Sequence, residues 1–131
     1  MNKTILTGLL AGATALLPLA ALAGDLGGEI ATAAQHAELS AAASDLGGTH
    51  MHLHHTLNCL VGPDGEGFDS AELNPCANSG NGAIPDAQPN VAKVRQLNLA
   101  ADQARAGIAT RDKAAAQQDA TDAAATLKAI H

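Results

Sequence analysis

The sequence predicts an all-α protein, a small antiparallel bundle of three or four helices carrying one long disulfide-pinned loop. Three observations predict it. Apolar residues recur at helical spacing on both sides of a turn-rich stretch, alanine dominates the composition, and no segment alternates in the way a strand requires. From residue 24 onward alanine contributes 25 positions against 19 for Leu, Ile, Val, Met and Phe together. Alanine favours helix but buries little area, so the expected core is thin and built from closely approaching helices. At 131 residues the chain has room for one small domain.

The first segment reads as a targeting signal rather than as part of the fold. Lys3 leads into an apolar run over residues 5–19 and then Ala21-Leu22-Ala23, the charged start, apolar centre and small-x-small ending of a secretory signal peptide, with cleavage expected after Ala23. An uncleaved anchor is the alternative, but the run is shorter than the about 20 residues that span a bilayer. Residues 24–131 then form a single helical domain, soluble, without a further membrane segment, and periplasmic or secreted. Without Lys3 its charge is 6 − 13 = −7.

Glu29 to Leu60 carries one long helical pattern. Leu39, Leu46, Leu53 and Leu60 repeat every seventh residue, with Ala43, His50 and Leu57 beside them. Gly47-Gly48 interrupts the pattern at a cost of roughly 2 kcal/mol relative to alanine. Because the leucine phase survives, a single kinked helix is favoured over two helices. Asp25-Leu26-Gly27-Gly28 is echoed by Asp45-Leu46-Gly47-Gly48, too briefly to define a repeat.

Residues 61–89 are dominated by Gly, Pro, Asn and Asp in turn-forming combinations and read as a loop, with Phe68, Leu73 and Ile84 as its candidate core anchors. Such a loop is long for a compact domain and needs a device to hold it. Cys59 and Cys76, the only two cysteines, supply one if they pair, which an oxidising compartment favours. Closing a loop of this size contributes about 3 kcal/mol. Thiolate ligation of a metal, with nearby histidines, is the competing reading. The acidic residues Asp64, Glu66, Asp69 and Glu72 do not follow the order of a calcium-binding loop and read as solvated.

Helical spacing resumes with Val91, Val94, Leu97, Ala101, Ala104 and Ile108, and again with Ala116, Ala120, Ala123, Leu127 and Ile130. Two helices fit, with Gly107 and Thr110 marking the break, Thr110 as N-cap and Asp112 in the first turn.

Five of the six histidines lie between residues 36 and 55, four of them in Thr49-His50-Met51-His52-Leu53-His54-His55. Imidazole suits copper, zinc and nickel, so the tract points to a transition-metal site. A solvated face of titrating side chains is the alternative. On a helix, His50 and His54 lie about 40° apart while His52 and His55 point roughly the opposite way. The i, i+4 pair His50/His54 is therefore the primary candidate, with Met51, a carboxylate, water or a histidine from another molecule completing the shell. His52/His55, facing outward, would form a second, weaker site or none. His36 lies about 21 Å from His50 along a straight helix and joins only if the chain folds back. An extended tract would instead place His50, His52 and His54 on one face, as a zinc site with a vacant position does.

The exported, alanine-rich helical chain with His36-Ala37-Glu38 and the His50 to His55 tract resembles the small periplasmic histidine-rich metal-binding proteins that form helical bundles. That likeness covers residues 35–59 and the general style of residues 100–130, and it implies a helical fold holding copper, nickel or zinc through histidines. Those proteins spread histidines over several helices, whereas the second half of this chain has only His131.

Other functions are less well served. The excess of 13 acidic over 7 basic residues, with Phe68 the sole Phe, Tyr or Trp, excludes the cationic and aromatic surfaces that nucleic acid requires. No nucleophile elbow, zinc-protease helix, phosphate-binding glycine loop or covalent haem motif is present, so no enzymatic role is expected. The expected function is copper or zinc buffering or delivery, with nickel also suited. The alternative is a structural or interaction module presenting its 59–76 loop to a protein partner, and third comes haem held non-covalently by His36 or His50.

Overall fold

A computed structural model describes residues 24–131, all of whose regular elements are helices: α1 (Leu26–Ala41), α2 (Leu46–Val61), the single turn α3 (Ala83–Asp86), α4 (Val91–Ala109) and α5 (Lys113–Lys128). The expected signal peptide lies outside the described residues. Among those described, no helix is long and apolar enough to cross a membrane.

Each long helix begins at a side-chain cap. Asp25, Asp45, Asn90 and Asp112 accept the backbone N–H three residues onward, from Gly28, Gly48, Lys93 and Ala115, at 2.8–3.0 Å. Such a cap satisfies one of the donors a helix start leaves free and competes with continuing the preceding helix. The echoed Asp-Leu-Gly-Gly sequence is therefore a helix start used twice. It also corrects the expectation of one kinked helix over residues 29–60. The chain breaks at Ala42 to Ser44, where Asp45 turns extended (φ −137°, ψ 168°), and Gly47-Gly48 falls in the first turn of α2. Likewise α4 runs through Gly107 and ends at Ala109, and the N-cap of α5 is Asp112 rather than Thr110.

The four long helices pack with antiparallel neighbours. Ser40 Oγ donates to Thr49 O (2.7 Å) and Thr56 Oγ1 to Ala33 O (3.3 Å), so α2 returns along α1. Thr126 Oγ1 donates to Gln103 (2.9 Å) and Gln117 Nε2 to Ala43 O (2.9 Å), placing α5 against both α4 and α1. The core between them holds Leu53, Leu57, Leu60, Leu97 and Leu127 amid alanines. Close approach follows from the small residues. A Cβ at Gly107 would stand 3.2 Å from the Ala116 carbonyl oxygen and nearer still to the Leu53 methyl. Leu39, at 43% exposed, lies outside the core although it shares the leucine phase, because the break after α1 rotates that phase out of register.

The connection from α2 to α4 crosses the C-terminal half of α2. Cys59 and Cys76 are disulfide-bonded with Cα atoms 5.1 Å apart, which settles their pairing against thiolate ligation. The fully buried Asn58 holds the same segment through its amide. Nδ2 donates to the carbonyls of Asp69 (2.9 Å) and Leu73 (3.2 Å), and Oδ1 accepts from Asp69 N–H (2.9 Å). Gly62, at φ 70°, ends α2 and lets the chain turn. Of the three expected anchors, Phe68 and Ile84 pack on the core, whereas Leu73 is 63% exposed.

Candidate metal centre

The antiparallel return of α2 along α1 makes residues equally distant from Ser44 face one another. His36 on α1 and His52 on α2 are such a pair, and His55 follows one turn after His52 on the same side. Their Nδ1 atoms, His36 to His52, lie 3.2 Å apart. His55 stands edge-on to both, its ring centre 5.0 Å from that of His36 and 5.5 Å from that of His52. One nitrogen from each ring falls within 4.8 Å of the other two, a group that could hold a metal ion.

Those distances suit a first-row metal. With Zn–N bonds of 2.0–2.1 Å, adjacent donors of a tetrahedral site stand about 3.3 Å apart. The His36/His52 pair already has that separation, and the His55 nitrogen lies within 4.8 Å of both. A hydrogen bond between the facing Nδ1 atoms requires hydrogen on one of them, and that ring must carry its proton on Nε2 instead for both Nδ1 atoms to bind one ion.

Burial sets the protonation of the group. His36 is lowered from 6.5 to about 4, first by burial and then by His55 and His52 beside it. His55 is lowered by burial and by His52, with Glu72 acting in the opposite direction. His36 is therefore neutral at pH 7, the form a metal requires.

The histidines expected as the primary pair are placed elsewhere. His50 Nε2 donates to the Thr110 carbonyl (2.9 Å), tying the start of α2 to the turn between α4 and α5. His54 Nδ1 lies 3.5 Å from Asp69 Oδ2, on the loop. Neither belongs to the compact trio, and His52 and His55, expected to face outward, point at α1. The helical tract also sets aside the extended three-histidine face. The physical reason is the fold-back at Asp45, which brings His36 alongside α2. The repeated Asp-Leu-Gly-Gly sequence was the signal that could have revealed it, since a second aspartate-capped helix start implies a hairpin.

One loop carboxylate borders the centre and a second lies against a histidine outside it. Glu72 Oε2 stands 3.7 Å from His55 Nε2, and Asp69 faces His54. Comparison of the chain with family models, with curated proteins and with solved structures found no match.

Proposed function

We propose that this chain is an exported, non-catalytic transition-metal-binding protein that takes up a copper or zinc ion at His36, His52 and His55 and serves in buffering or delivery of that ion. The observation that carries the reading is the convergence of three imidazoles from two helices, at spacings one ion can bridge. Three nitrogens leave a fourth position for water or for a donor on a recipient, which suits an ion that must be passed on. The disulfide supports an oxidising compartment. Three imidazole rings in mutual contact leave no slot between them for a macrocycle, which weighs against haem.

Titration of residues 24–131 with Cu(II), Zn(II) and Ni(II) tests the site. We expect His36→Ala/His52→Ala to abolish the tight step and His50→Ala/His54→Ala to leave it in place. A parent protein that binds no better than the first double variant would remove the proposal. The exposure of Leu73 on the disulfide-pinned loop favours a second reading, an interaction module for a protein partner, and that reading predicts identical metal binding in all three proteins.

A further inference from the structure

The trio contains one polar atom with no partner and borders one carboxylate with no assigned task. His55 Nδ1 is buried without a hydrogen-bond partner. On the other side of the same ring, Nε2 lies 3.7 Å from Glu72 Oε2. Imidazoles that bind metals commonly direct their second ring N–H to a carboxylate, which selects the tautomer, orients the ring and leaves the other nitrogen's lone pair for the ion. His55 has both halves of this arrangement: one nitrogen toward a carboxylate and the other bare. The His36/His52 contact is also made through Nδ1, so Nδ1 ligation by His55 would give a site built from the same atom three times.

Resting on the reading of the trio as a metal site, we infer that Glu72 is its positioning residue, holding His55 with Nε2 protonated and Nδ1 free for the metal. The loop is organised to present this carboxylate. Its backbone is clamped by the Asn58 amide on one side of Glu72 and just after it, at Asp69 and Leu73, and the disulfide at Cys76 fixes the chain a few residues further on. Asp69 supplies an internal control. It sits on the same clamped segment and faces a histidine, but that histidine is His54, outside the trio.

The disulfide-bonded protein is titrated with Zn(II) against a competing chelator, alongside Glu72→Ala, Glu72→Gln and Asp69→Asn. Removal of a carboxylate in this role weakens metal affinity by about 10–100-fold. We expect a loss of that size in Glu72→Ala and a smaller one in Glu72→Gln, whose amide oxygen can still accept from Nε2–H. Asp69→Asn should bind as the parent does. Histidine side-chain NMR of the metal-free protein should find His55 as the Nε2–H tautomer in the parent and as a mixture in Glu72→Ala, a change that mere loosening of the loop would not produce while the helical signal and the disulfide persist. If Glu72→Ala fails to fold, the Gln variant carries both measurements. Equal affinity in the parent and the Glu72 variants, an equal loss in Asp69→Asn, or an Nδ1–H tautomer in the parent would each overturn the role of Glu72 and leave the trio standing. A parent that binds Zn(II) no better than His36→Ala/His52→Ala would instead overturn the trio itself.

Discussion

One buried and one half-buried side chain, Glu29 and His36, give this fold opposing responses to pH. Glu29 is fully buried on α1, with Oε1 accepting from Gly82 N–H (2.9 Å) and Oε2 unpartnered. Burial, outweighing that hydrogen bond, raises it from 4.5 to about 7, with Asp86 and Asp25 adding to the rise. The folded value lies above the unfolded one, so its contribution is fully present below pH 4.5 and is lost as pH rises through 7. His36 is the reverse, being lowered to about 4. Its contribution is fully present above pH 6.5 and is lost as pH falls through 4. Between 4.5 and 6.5 the two oppose each other. With a chelator present, urea midpoints should fall more steeply toward acid in Glu29→Gln than in the parent, and less steeply in His36→Gln, where His55 retains part of the acid response. Parallel profiles in all three proteins would contradict this account. At this same scale, the density of the His50 to His55 tract marked the region of the candidate site, and His36, His52 and His55 were all among its candidates. Their grouping was not legible, because angular position on one helix says nothing of which face meets a second helix.

At the scale of elements, the helical periodicities and the turn-rich stretch made α4, α5, the pinned loop and the helical character of residues 29–60 legible. The divisions within the first helical half were not. The seven-residue leucine spacing continued through residues 39–60, and spacing in the sequence alone cannot distinguish a continuous helix from two helices separated by a short turn. The local competition that decided the matter lies at Asp45, whose carboxylate accepts Gly48 N–H at 2.8 Å. Asp45→Ala should lower stability by about 1 kcal/mol, read from denaturant unfolding. It should also weaken Zn(II) binding, because the turn it caps sets the register of His52 against His36. Unchanged stability would show that packing of α2 alone ends α1.

The whole molecule matches the thin core expected from its composition. Among the described residues only a few leucines are fully buried, and alanines fill the remaining contacts between helices. Such a core buries little area per residue, so the covalent link matters more than it would in a larger domain. Reduction of Cys59–Cys76, or a Cys59→Ser/Cys76→Ser variant, should cost about 3 kcal/mol in unfolding free energy. The effect should be centred on residues 62–82, where hydrogen exchange would rise first. A reduced protein with unchanged exchange in that segment would assign the hold on the loop to Asn58 alone.

All three candidate donors belong to one helical hairpin joined by a short turn, and contacts close in sequence form with little loss of chain freedom. An ion bridging the trio would rivet the first two helices together at mid-height, so cargo and architecture share one set of bonds. Release to a recipient would then mean loosening the scaffold as well as surrendering the ion.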